Sequence, residues 1–199
     1  MDSVAVLLLA AGASSRMRGD DKLLQVVDGV PLLRRQAQAM VGLNVPVIVA
    51  LGPDDAARRD VLAGLDLQKV VVPNAAMGMS ASIRVGVTAV LDKALGLAVL
   101  PADMPEVTAM DMRALIDAFD AASRDSVVRA TGADGTPGHP VIFPSRLFPA
   151  LLQLTGDSGA KPVLAGEAVV TVALPKAHAL TDLDTPEDWA AWRAARALN

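Results

Sequence analysis

The 199-residue sequence contains no cysteine. Disulfides, thiolate nucleophiles and cysteine-based metal sites are excluded, and the absence is compatible with a reducing compartment. Aromatic residues make up only 3% of the chain, so a surface that stacks nucleic-acid bases is not expected. Positive charge is also short. The formal net charge of −4 argues against a broad basic face for DNA or RNA, although it permits a small cationic pocket. Long hydrophobic runs are missing as well. The first apolar stretch, Val4–Ala11, is too short for a membrane span and has no basic flank of the signal-peptide kind. These absences predict a soluble cytoplasmic protein with neither a nucleic-acid nor a membrane partner.

What is present is aliphatic. Hydrophobic residues reach 52%, enough for a large core, and the length fits one domain over residues 1–199. Short β-rich runs alternate with helical patterns. Strands are expected at Val4–Ala10, Val45–Leu51, Lys69–Val72, Leu97–Leu100 and Ser126–Ala130. Helices are expected at Pro31–Leu43, at about Asp54–Ala63, at Ser80–Leu91 and at Thr108–Ala122, the last opened by a Thr108/Asp111 capping box. The order breaks near residue 131. "TGADGTPGHPVIFP" holds turn residues and a short strand at Val141–Phe143, which reads as an antiparallel excursion over residues 131–145. "EAVVTVAL" is a further strand. A last helix starts with Thr185 as N-cap, Pro186 at its first position and Asp188 three residues on. The alternation predicts an α/β fold: a Rossmann-like, three-layer α/β/α sandwich with a mainly parallel sheet.

In such a sheet ligands bind beyond the carboxyl ends of the strands. The segment "LLLAAGASSRMRGDDKLL" (7–24) lies there. Its small residues let a backbone approach closely and present free N–H groups, while Arg16, Arg18 and Lys22 suit a triphosphate. Both common phosphate fingerprints, G-x-G-x-x-G and G-x-x-x-x-G-K-[ST], are absent. "LAVLPADMP" puts Asp103 just past another strand, where a carboxylate is either a turn residue or a Mg²⁺ ligand whose coordination shell phosphates and water complete. "PNAAMGMSASIRVGV" offers Gly78, Ser80 and Ser82 at a helix start, either as groups that read a base or as an N-cap formed by Ser80. His178 carries no motif and reads as a surface residue.

The 7–24 segment resembles the nucleotide-binding signature of the MobA-like nucleotidyltransferases, L-A-[AG]-G-x-[GS]-x-R-M-G-x-x-K. Its Ala-Ala-Gly form followed by Ser is similar to the molybdenum cofactor cytidylyltransferases, since guanylyltransferases more often carry Leu-Ala-Gly-Gly. Arg18 departs from the pattern by adding one residue before Gly19. The resemblance extends over nearly the whole chain. It implies the nucleotide-diphospho-sugar-transferase type of fold, a nucleotide site at Leu9, Ala10, Ala11, Gly12, Arg16, Lys22, Asn74, Gly78, Ser80, Ser82 and Pro101, and catalysis by Lys22, Arg16 and Asp103. It also implies Mg²⁺ on Asp103 and on an acid before "TPED", either Asp184 or Asp182. The G-H-P and G-D-x-G-A-[RK] motifs imply an acceptor site at His139, Asp157, Ser158, Gly159 and Lys161, with a helix starting in "GDSGAK".

The implied activity is transfer of CMP from CTP to the phosphate of molybdopterin, releasing pyrophosphate, with a molybdoenzyme or its chaperone as recipient. Three alternatives stand beside it. One is the same chemistry with other substrates, either GTP with the same acceptor or CTP with a sugar or polyol phosphate. Another is a maturation factor that binds cofactor without turnover. The third is a dinucleotide-dependent oxidoreductase, disfavoured by the missing glycine fingerprint.

Overall fold

The structure is a computed structural model that describes residues 4–197. Its strands are β1 (Val4–Ala10), β2 (Val26–Val27), β3 (Val30–Pro31), β4 (Val47–Leu51), β5 (Gln68–Val71), β6 (Gly96–Pro101), β7 (Val127–Thr131), β8 (Pro137–Pro144) and β9 (Val169–Ala173). Its α-helices are α1 (Leu32–Val41), α2 (Ala56–Val61), α3 (Met79–Val90), α4 (Ala109–Ala121), α5 (Phe148–Leu152), α6 (Lys161–Leu164) and α7 (Pro186–Ala197).

The unbroken apolar run of β1 follows from its place at the centre of a sheet covered on both faces. Val4, Val6, Leu8 and Ala10 enter one core with Leu33 of α1, Leu115 of α4 and Trp189 of α7. Ala5 and Leu7 enter a second core with Ile83 and Val87 of α3 and Phe148 of α5. Gly86 lets α3 approach closely, because a Cβ there would lie 2.2 Å from a Leu7 methyl. This gives three layers around a seven-stranded sheet of order β5-β4-β1-β6-β8-β7-β9. β1 runs parallel to both β4 and β6, whereas β8 is antiparallel to both of its neighbours. The fold is a single-domain α/β fold with a mostly parallel sheet. The expected excursion at 131–145 is the β7–β8 hairpin, built into that sheet.

Three details differ from expectation. β8 spans eight residues rather than Val141–Phe143. The β7–β8 register shifts between Arg129 and Thr131, so Gly138-His139-Pro140 lies in an irregular stretch where a missing proline N–H breaks no ladder. Secondly, β2 and β3 form a separate small hairpin directly before α1. Asp28 and Gly29 both have positive φ there (51° and 81°), as a type I′ turn requires. Finally, α6 starts only at Lys161, so residues 157–160 form turns and not a helix end.

The two predicted helix starts hold. Thr108 and Asp111 close a reciprocal capping box on α4. At α7, the Asp188 backbone N–H donates to the Thr185 hydroxyl, while the Thr185 N–H donates to the Asp188 carboxylate. Among the described residues, no helix is long and apolar enough to cross a membrane.

Candidate active site

The chain leaves β1 towards β4 and β5 on one side, then crosses to β6 on the other. Adjacent parallel strands whose connections diverge in this way open a crevice at their carboxyl ends. The loop after Ala10 and the turn after Pro101 both lie at this crevice, joined where the Ala102 N–H donates to the Leu9 carbonyl (3.1 Å).

The loop is held in shape by a residue the motifs did not single out. Arg58, on α2, has a side chain that is only 4% exposed. Its guanidinium donates to the carbonyls of Ala10 (2.7 Å) and Gly12 (2.8 Å), to the Ser14 hydroxyl (3.1 Å) and to both Asp21 oxygens (2.7 and 2.9 Å). Burial works against the Asp21 charge, but the Arg58 contacts outweigh it and hold this carboxyl below its usual range. Ser14 and Arg18 bracket a short 3-10 turn in left-handed conformations, and Met17 between them is buried. The extra residue Arg18 is thereby turned outward, onto Glu187 at 2.7 Å.

Lys22 is the node of the site. Its ammonium donates to Asp103 Oδ2 and, at 2.7 Å, to Asp184 Oδ1, and all three side chains are less than a fifth exposed. Burial pushes the Lys22 pKa down, but the two carboxylates more than compensate and the net shift is upward. Arg16 reaches the other Asp184 oxygen at 2.8 Å from a largely exposed position. The Leu183 N–H donates to the Asp103 carbonyl, tying the segment that carries Asp184 to the β6 turn. Asp103 Oδ1 is buried and has no hydrogen-bond partner. Asp182 lies beside this group without bonding Lys22. Its own burial and the nearby Asp184 and Asp103 charges raise its pKa.

Three cavities meet here. One of about 330 Å³ is lined by Leu9, Ala11, Gly12 and Pro101 on the loop side, with Arg16, Lys22 and Asp103, and by Gly78, Ser82 and Asp157 opposite. A second, of about 370 Å³, brings Lys22, Asp103, Asp182 and Asp184 to His139. A third, of about 190 Å³, is lined by all five expected acceptor residues, His139, Asp157, Ser158, Gly159 and Lys161, and also by Arg129. Met79 forms part of the wall of all three. A larger groove of about 580 Å³ lies at the amino ends of the strands, beside Pro46 and Gln68, away from this chemistry.

Gly78 and Asp157 are far apart in sequence but in direct contact. Gly78 has φ +91°, and a Cβ there would lie 1.7 Å from Asp157 Oδ1. Only glycine fits both the backbone conformation and the contact. The expected cap is corrected: Gly78 is the N-cap of α3, and Ser80 sits in the first turn, fully buried, with its hydroxyl unpartnered. Asn74, Ser80 and Ala10 do not line the 330 Å³ cavity, and Ala10 contributes its carbonyl to Arg58. His178 is not a surface residue. Its Nδ1 lies 2.8 Å from Asp111 and its side chain is 16% exposed, because the 177–181 turn packs over the start of α4. No motif marked Arg58, within the expected Asp54–Ala63 helix, or Arg129, in a short strand.

Comparison with known proteins agrees with this arrangement. The model of the MobA-like NTP transferase domain matches residues 6–173. The crystal structure of Rv0371c from Mycobacterium tuberculosis H37Rv is similar at 29% identity and a TM-score of 0.77, covering 96% of this chain and 98% of that one. Its complex with manganese matches at 27% identity and a TM-score of 0.76, over 96% and 97%. A nucleotidyl transferase from Methanothermobacter, at 22% identity, shares the fold with a TM-score of 0.80 over 98% of both chains. A search of curated proteins found no match. With a family match over most of the chain and a cation-lined crevice where the fold binds its ligands, this chain belongs to the MobA-like NTP transferase family and is a nucleotidyltransferase.

Proposed function

We propose that the protein transfers CMP from CTP to the terminal phosphate of molybdopterin, in a Mg²⁺-dependent reaction that releases pyrophosphate. The observation that carries this reading is the Lys22 node, in which one ammonium holds two carboxylates at the mouth of the crevice, directly under the loop. The crevice suits a nucleotide whose phosphates lie against the loop N–H groups and Arg16. The Ala-Ala-Gly form of the loop, similar to that of the cytidylyltransferases, supports CTP over GTP.

Asp103 and Asp184 fit a divalent ion, since Asp103 Oδ1 is buried and unpartnered and its other oxygen shares Lys22 with Asp184. Asp184 suits this role better than Asp182, which does not bond Lys22. Two carboxylates suffice for Mg²⁺, which takes most of its ligands from phosphates and water. When bound, such an ion neutralises phosphate charge and orients phosphate oxygens. The manganese complex of Rv0371c supports a divalent ion in this family.

The protein's own part is positioning and charge. An acceptor phosphate oxygen attacks the α-phosphorus of CTP. The bond from that phosphorus to the α–β bridging oxygen breaks, and pyrophosphate leaves with the electron pair. No covalent enzyme intermediate is needed, because the nucleophile is already anionic. The obstacle is repulsion between two polyanions. Lys22 and Arg16 are already held in place, so they stabilise the developing charge with little reorganisation. Arg58 fixes the loop by binding the Ala10 and Gly12 carbonyls, Ser14 and Asp21.

The test is thermal stability with CTP, GTP, ATP or NAD⁺, with and without Mg²⁺, followed by pyrophosphate release with molybdopterin. A nucleotide at a hundred times its Kd adds about 2.7 kcal/mol, roughly 5–11 °C for a domain of this size. A Mg²⁺-dependent shift with CTP above GTP, and pyrophosphate release only with acceptor, are expected. A larger GTP shift would move the assignment to guanylyl transfer. Binding without pyrophosphate release would mark a carrier.

A further inference from the structure

The face of the sheet that packs against α3 and α5 is mostly apolar, and Arg129 of β7 is a cation on it beside the buried Val127, Val141 and Phe143. In β7 and β8 the side chains on this face are Val127 and Arg129, then His139, Val141 and Phe143, with Arg129 registered opposite Val141. A cation here breaks the alternation that β7 otherwise obeys, in which Val127 is fully buried. Arg129 is half-buried, and its Nε donates to the Gly138 carbonyl at 3.0 Å. Among the described residues it makes no ion pair, and burial pushes its pKa down. Burying an unpaired guanidinium costs stability unless something else supplies the opposite charge.

The cavity beside it shows what that could be. Arg129, His139 and Lys161 share the 190 Å³ space with the apolar side chains of Ile83, Val99 and Phe143. Lys161 is exposed at its edge. Among the described residues the buried His139 Nδ1 has no hydrogen-bond partner, and burial first, then the Arg129 charge, push the pKa of the ring down. The fixed positive charge is therefore that of Arg129 and Lys161. The one carboxylate on the wall, Asp157, is packed against Gly78. The volume is below that of a pocket for a whole small molecule, so it accommodates one end of a ligand.

We infer that this cavity is a second anion subsite, in which Arg129 and Lys161 hold an anionic group at the end of the acceptor away from its attacking phosphate. The inference rests on the proposed nucleotidyl transfer only in taking the occupant to be the acceptor. Its physical content is that a small organic anion, phosphate or carboxylate, with an apolar body binds here and a neutral analogue does not. Arg129 is then a specificity-determining residue, selecting acceptors that carry charge at both ends.

The chain has only two histidines, which makes the test direct. His139 lines the cavity, and His178 lies outside it on Asp111, so their ring NMR signals serve as reporter and control. Phenyl phosphate and benzoate are titrated into the full-length protein, with phenol as the neutral probe. At least one anion is expected to shift His139 saturably while His178 stays still and phenol has no effect. The tighter of the two anions identifies the charged group. Arg129→Met, which returns an apolar side chain to an apolar face, is expected to weaken the anion roughly ten- to a hundredfold, as for loss of a charge-assisted hydrogen bond. Its ligand-free Tm should be equal to or above that of the parent, and Arg129→Lys should recover part of the affinity. Binding unchanged in Arg129→Met, or lost in Lys22→Ala instead, overturns the inference, because the anion then sits elsewhere or on the loop. CTP stabilisation is measured in parallel on the parent protein and on Arg129→Met. Its absence from the parent would defeat the proposed function while leaving the anion result to stand or fall alone.

Discussion

The two sides of the crevice treat their cations in opposite ways. On the loop side each positive group is matched within the protein: Arg58 by Asp21, Lys22 by Asp103 and Asp184, Arg16 by Asp184. On the β7–β8 side, among the described residues, Arg129 has no carboxylate and the His139 Nδ1 no partner. The loop side is built in advance, with each cation already held by a carboxylate of the protein. The β7–β8 side carries an uncompensated charge into the ligand-free state. A matched site gains rigidity at the cost of competition from its own carboxylates, and an unmatched site gains selectivity at the cost of stability.

Breaking the matched side should have the largest effects. Arg58→Ala leaves a half-buried Asp21 and two loop carbonyls without their donor, and should cost about 3–5 kcal/mol of stability, as for loss of one partner of a buried pair. Chemical denaturation checks this. Arg58→Lys should recover only part of it, since an ammonium cannot span the same acceptors. If Arg58→Ala retained full stability, the loop would be held by something other than this staple.

Lys22→Ala should lower turnover by about 10²–10³, the typical effect of removing one preorganised donor. Steady-state kinetics at saturating nucleotide would show a fall in kcat rather than a rise in KM alone. Unaltered turnover would remove Lys22 from the chemistry.

A milder effect comes from the unmatched side through pH. Burial first, and Arg129 next, hold the folded-state pKa of His139 below its ordinary 6.5. The unfolded chain therefore takes up this proton at a higher pH than the native one does. The stability contributed by the neutral ring is complete above about pH 6.5 and declines as pH falls towards the depressed native value. Tm should fall on acidification through this window, and His139→Gln should flatten that part of the profile. A native His139 that titrates above 6.5 by NMR would contradict the assignment.

The smallest effect belongs to Arg18, whose partner Glu187 is as exposed as itself. Arg18→Ala should leave Tm and turnover unchanged within error, because exposed ion pairs contribute little. A clear loss of activity would show that the extra residue of the loop reaches substrate after all.

The contrast also marks what sequence can and cannot carry. β1, β4 and β6 were legible because strands buried on both faces read as unbroken apolar runs, and α4 and α7 because a capping box is complete within four residues. The Lys22, Asp103 and Asp184 segments were found through motifs, and the structure brings them together across 81 and 162 positions of chain. The β2–β3 hairpin has its Asp-Gly turn signal, but two residues on either side are too few to establish a period. Arg58, Arg129 and His178 were not legible for a different reason. Nothing local distinguishes a buried arginine or histidine from a solvated one, because its surroundings come from other elements of the fold.

Met79 forms part of the wall of all three cavities, the residue is 38% exposed, and its sulfur rests over Gly159. A thioether adapts its shape cheaply, so one flexible group accommodates whatever enters from either side. The same group is the point at which an oxidant can act on the whole site. Conversion to the sulfoxide would put a bulky dipole where the three cavities meet in one step. Met79→Leu is therefore expected to lose less activity on peroxide treatment than the parent protein does.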